Sequence, residues 1–160
     1  MRRGRRLGVD IGAARIGVAT CDPDGLIATP VETVHVDGDL PAAVARVAGL
    51  AEEHEVVEIV VGLPYSLSGR EGPAAATVRA AVDVLTALTT RPVRLVDERL
   101  STVTASHQLR AGGTRAKQQR PVIDQAAAVV ILQNALEGER LRGTPPGQLI
   151  DTRPPTEGSA

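Results

Sequence analysis

The residue that most invites chemistry is Asp10, in Leu7–Gly12 (LGVDIG), a short β-type run. Alternation along a strand sends Leu7, Val9 and Ile11 to one face and Gly8, Asp10 and Gly12 to the other. A carboxylate in mid-strand with glycines two positions to either side has open space above it, and burying it unpaired is costly. A divalent cation would balance the charge. The competing reading is an Asp near a strand end, capped by backbone N–H groups.

Two further acidic sites fit the same chemistry. Asp97 and Glu98 close the run Val93–Asp97 just before Ser101, a plausible helix N-cap. Neighbours on a strand face opposite ways, so only one of the pair can share the face of Asp10. Both would also suit the positive end of the following helix. Asp124 stands three residues after Pro121, where a helix first turn favours any Asp, but the apolar segment behind it (AAAVVIL, 126–132) must pack deep and would carry it to a buried edge.

Three carboxylates from a first strand, a later strand end and a last helix make a ligand set for Mg²⁺ or Mn²⁺, which prefer oxygen donors. Two such ions about 3.5–4 Å apart activate water and stabilise the leaving oxygen of a phosphodiester, so no protein nucleophile is needed. Zinc chemistry is excluded by the scarcity of ligands. His35, His54 and His107 lack metal-ligand spacing and suit surface or helix-end roles, and Cys21 is the sole cysteine, a small core hydrophobe that fits a reducing compartment.

The elements that must position these acids follow from periodicity. Leu7–Gly12, Ile16–Cys21 and Thr29–Val36 are separated by turn signals and predict an antiparallel meander. Leu40–Glu55 has helical spacing, Val56–Gly62 is a continuous apolar strand, Gly72–Thr90 a second helix, Val93–Asp97 a fifth strand and Ser101–Ala111 a third helix. Pro121 would open the last helix, running to about Leu141. The expected architecture is α/β: a mixed five-stranded sheet, its first three strands antiparallel, with helices on its faces. Residues 1–141 form the domain, and 142–160, rich in Pro and Gly, are expected to be a disordered tail. Pro64–Gly72 and Ala111–Arg120 read as functional loops at the carboxyl ends of the parallel strands.

A net charge of −1 on 160 residues gives no general attraction to nucleic acid, so local clustering decides. Residues 99–123 carry Arg99, Arg110, Arg115, Lys117 and Arg120 without an acid, leading into the Asp124 helix. Arg2, Arg3, Arg5 and Arg6 form a second basic group. Tyr65 is the only aromatic, so recognition is expected through backbone and shape rather than base stacking. Gly112 and Gly113 read as a helix cap and hinge, since no phosphate-loop pattern occurs. The basic start lacks a cleavage site and a span-length apolar run, which predicts a cytoplasmic protein.

The motifs GVDIGAARIG (8–17), IVVGLP (59–64) followed by SGREGP, DERLST (97–102) and VIDQAAAVVIL (122–132) occur in order. Together they resemble the YqgF family, also called RuvX, of RNase H-like Holliday junction resolvases and pre-16S ribosomal RNA processing nucleases, over about Leu7 to Glu137. The resemblance implies the RNase H-like fold with strand order 3-2-1-4-5 and helices on both faces. It also implies an acidic active site of Asp10, Glu98 and Asp124, selecting Glu98 over Asp97. Family members often carry Asn or Asp where this chain reads Tyr65, Ser66, Leu67 and Ser68.

The resulting expectation is a Mg²⁺- or Mn²⁺-dependent endonuclease acting on structured RNA, foremost the 5′ leader of the small-subunit rRNA precursor in pre-ribosomal particles. Arg15, Arg99, Arg115, Lys117 and Arg120 would contact phosphates. A resolvase of branched DNA is the nearest rival and requires a dimer, whereas the sequence is compatible with monomer or homodimer. An ATP-dependent class, suggested by VDIGAARIG, lacks the second lobe that such proteins close over nucleotide. A non-catalytic ribosome-assembly or transcription factor is the third class.

Overall fold

The computed structural model describes residues 1–65, 68–97 and 116–150, with the backbone alone for 116–124. Strands β1 (Arg6–Ile11), β2 (Arg15–Cys21) and β3 (Ala28–His35) form the antiparallel meander. Helix α1 (Leu40–Glu53) leads to β4 (Glu58–Leu63), and α2 (Pro73–Leu88) to β5 (Val93–Asp97). Strands β1, β4 and β5 are mutually parallel. Helix α3 (Ala116–Arg142) and β6 (Gln148–Ile150) complete the described elements. The sheet order is β3-β2-β1-β4-β5-β6, so β1 is central.

The sheet is apolar on both faces because β1 and β4 are covered on both sides. Leu7, Val9, Ile59, Val61, Val93 and Leu95 pack toward α1 and α2, whose Val44, Val47, Leu50, Val78, Val82 and Leu85 are buried at helical spacing. Ala19, Val60 and Val96 join the second core, built on Ala128, Ile131, Leu132 and Leu136 of α3. Asp39 caps α1 by accepting from the N–H of Ala42. Cys21 is buried in the α3-side core, as expected of a small hydrophobe.

Three expectations change. The sheet has six strands: Gln148–Ile150, placed by the sequence in a disordered tail, pair antiparallel with Val93–Leu95. Gly147, at φ +81°, makes that approach possible, since a Cβ there would lie 2.1 Å from the Leu95 carbonyl oxygen. Helix α3 begins at Ala116 rather than at Pro121, so residues 116–120 are helix, not loop. Ala116, Lys117, Gln118, Gln119 and Arg120 are all strong helix formers, and their propensity outweighs the proline signal. The basic amino-terminal group is also redeployed: Arg6 is 1% exposed and pairs with Glu139, Arg2 pairs with Glu58 and Glu139, and Arg3 with Asp24. The helix expected over 101–111 lies outside the described residues, as do His107 and residues 151–160.

Candidate active site at the carboxyl edge of the central strand

Asp10 lies near the carboxyl end of β1 and is half-buried. Its antiparallel partner on β2 is Gly17, and one step beyond the last paired positions of β1 and β4, Val9 and Val61, come Asp10 and Gly62. Both lateral neighbours therefore lack side chains. The glycines along β1 do different work. A Cβ on Gly8 would fall 2.7 Å from the Leu132 Cβ and 2.9 Å from the Ala128 carbonyl oxygen, so Gly8 admits α3 onto the strand. Gly12 donates to the Arg15 carbonyl at 3.0 Å and closes the β1–β2 hairpin.

The contacts of α3 set its direction. Arg6 meets Glu139, while Gly8 meets Leu132 and Ala128, so α3 runs antiparallel to β1. Position 124 is one helical turn, about 6 Å, before Ala128 on the same helix face. Gln125 fixes the level: its Nε2 donates to Thr33 Oγ1 at 2.9 Å, and Thr33 pairs with Gly17, the partner of Asp10. The backbone of position 124 thus reaches the sheet at the height of Asp10. Composition alone did not reveal Gln125 as a positioning residue; its only signal was adjacency to Asp124.

Asp124 is the ninth residue of α3, not part of its first turn. Its backbone N–H lies beyond the four unsatisfied groups of the helix start, and the dipole acts mainly within that first turn. The bland explanation for an acid here loses its basis.

Asp97 pairs with Leu63 and shares strand parity with Val93 and Leu95, which pack toward α1 and α2. Val96 has the opposite parity and joins the α3-side core. Asp97 therefore stands on the parity opposite to Asp10. Glu98, Arg99 and Arg115 lie outside the described residues. Arg15, at the start of β2, shares parity with Gly17 and stands on the Asp10 face. Lys117 and Arg120 lie in the opening turns of α3, ahead of position 124.

Asp10 suits a hard divalent cation: it is an oxygen donor, half-buried beneath a helix, with glycine as each lateral neighbour. Among the described residues no three His, Cys, Asp or Glu side chains converge as a metal cage. Of the three expected ligands, Asp10 alone has a described side chain. No helix among the described residues is long and apolar enough to cross a membrane.

A meander whose first strand pairs onward with parallel strands, with an acid on that strand beneath a closing helix, defines an RNase H-like fold. The same fold is present in RuvC of Thermus thermophilus in complex with a Holliday junction, which matches with a TM-score of 0.60 at 17% identity over 91% of this chain and 99% of that one. The model of the RuvX family, described as Holliday junction resolvase, matches residues 4–138, and the chain belongs to that family. A Streptomyces coelicolor protein named "Putative pre-16S rRNA nuclease" is 61% identical over 152 residues, spanning 94% of this chain and 90% of the relative. A Clavibacter michiganensis protein of the same name is 55% identical over 150 residues, spanning 94% and 93%.

Proposed function

We propose that the chain is a Mg²⁺- or Mn²⁺-dependent endonuclease of structured nucleic acid, with the 5′ leader of the small-subunit ribosomal RNA precursor as its substrate. The observation that carries this reading is Asp10 on the central strand at the level of α3 position 124. Family membership supports nuclease chemistry, and the name shared by its relatives in Streptomyces and Clavibacter supports the RNA substrate.

Asp10, Glu98 and Asp124 would hold the metal. When bound, the ion supplies an activated water and charge stabilisation at the leaving oxygen. The chain's own residues do the rest. Gly8 and Gln125 set the height of α3 over β1, and hence the separation of positions 10 and 124. Arg15, Arg99, Arg115, Lys117 and Arg120 would bind phosphates and orient the strand to be cut, making affinity fall with salt. The cytoplasm is the compartment in which that substrate is met.

Resolution of a four-way DNA junction is the second reading, favoured by the description of the family as Holliday junction resolvase. It requires two coordinated cuts and hence a homodimer. The test incubates wild type and Asp10→Asn with end-labelled leader RNA and with a four-way junction, in Mn²⁺ or EDTA. Metal-dependent cutting of the leader, lost in the variant, is expected. Paired symmetric cuts in the junction alone would transfer the assignment to the resolvase, and binding of both without cutting would make the chain a non-catalytic assembly factor.

A further inference from the structure

A concavity opens at the same carboxyl edge, at the ends of β4 and β5. It is a half-open space of about 360 Å³ between Tyr65 and Gly69, which follow β4, and Gly147 and Gln148, just before β6 and at its start. Leu63, Leu95, Val96 and Asp97, at the ends of β4 and β5, line it as well. The volume is within the range of small-ligand sites, and the lining is mixed polar and apolar.

From this geometry we infer that the cleft is a nucleobase subsite, preferring a base with an exocyclic amino group. The inference rests on the nuclease reading above and deepens it. Two observations converge. Tyr65 is the only aromatic of the chain, and it lines this cleft while packing partly against the core, which holds its ring in place. Aromatic rings at such edges stack bases with little dependence on sequence. Asp97 adds a carboxylate at the rim of the same cleft.

Selectivity follows from donor and acceptor inventories. An ionised Asp97 accepts hydrogen bonds and donates none, so it matches the amino groups of cytosine, adenine or guanine and opposes the carbonyl edge of uracil. The Gln148 amide both donates and accepts, and can complete either pattern. The pairing of β6 with β5 builds one wall, which gives the carboxyl-terminal segment a role beyond covering a sheet edge.

Because the chain has one tyrosine and neither Trp nor Phe, the Tyr65 ring protons are a unique reporter. Titrating full-length protein in EDTA with each of the four ribonucleoside 5′-monophosphates, and with ribose 5-phosphate, reads the cleft without requiring cleavage. The Tyr65 ring and Gln148 amide resonances should shift with amino-bearing bases, at least fivefold more weakly with uridine monophosphate, and not with ribose 5-phosphate. Asp97→Asn should bring uridine to within twofold of the others, because an amide can donate to a carbonyl. Tyr65→Leu, which retains an apolar side chain on the core, should weaken binding about tenfold at the Gln148 amide, as expected from loss of one stacked base. Leader cutting without any Tyr65 shift would overturn the subsite and leave the nuclease reading standing. Base-selective shifts in a protein that cuts neither substrate would uphold the subsite and overturn the nuclease reading.

Discussion

Acidic side chains have different surroundings at the two edges of the central sheet. At the amino edge, Arg2, Arg6 and Arg94 enclose Glu58 and Glu139, and Arg6, Glu58 and Glu139 are 1%, 2% and 3% exposed. Each carboxylate there meets two guanidinium groups. Arg2 donates to both Glu58 and Glu139, at 3.1 and 2.9 Å, and holds the Glu139 carboxyl down at about 2. At the carboxyl edge, Asp10 stands between glycine positions, with Asp97 exposed nearby at the end of β5. Charge that is internally neutralised ties the amino terminus to α3. In the proposed function, the acid set beside glycines at the carboxyl edge serves metal binding.

Acid removal at each edge separates the two roles. Asp10→Asn should lower cleavage by about four orders of magnitude, equivalent to about 5.5 kcal/mol in the barrier, while thermal unfolding shifts by no more than a few degrees. Retained activity would erase the distinction. Glu139→Ala should do the reverse, leaving the buried Arg6 guanidinium without its carboxylate at a cost of about 3–5 kcal/mol. For a domain of this size calorimetry should show Tm lower by on the order of 10 °C, with cleavage per folded molecule intact.

Gly8→Ala bridges the edges. Its Cβ would meet the backbone of Ala128 and the Cβ of Leu132, so α3 must retreat, for about 1–3 kcal/mol of stability. That retreat also moves position 124 away from Asp10, so a greater than tenfold loss of cleavage should accompany a modest change in Tm.

Acid titration probes the amino edge most strongly. The Glu139 carboxyl is depressed from 4.5 to about 2, first by its hydrogen bond with Arg2. Its stabilisation is complete above pH 4.5 and disappears as the pH falls through about 2. With Arg2 partly solvated this amounts to roughly 2 kcal/mol. Denaturant midpoints measured from pH 5 to pH 2 should fall in wild type and stay flatter in Glu139→Gln. The smallest effect is expected of Arg3→Ala, whose pair with Asp24 is exposed on both sides: a change under about 1 kcal/mol in the same denaturant assay.

Local pattern alone determined much of this protein. The order and type of the first five strands follow from alternation and turn residues within a few positions. The place of Asp10 on the face opposite Leu7, Val9 and Ile11 is a consequence of the strand repeat. The family motifs are likewise contiguous residues. Only tertiary structure decided what depends on distant partners. Arg6 reads as part of a basic cluster until Glu139, 133 residues later, reaches it. Gly8 reads as space for a ligand until Ala128 and Leu132 fill it. Gln148–Ile150 are too few residues to announce a strand, and they become one because β5 offers an unpaired edge. Asp97 is separated from the Asp10 face by strand parity, visible once Val96 is packed beneath α3. Backbone periodicity is a property of neighbouring residues, whereas ion pairing, helix approach and edge pairing are settled by which surfaces the closed chain brings within a few ångströms.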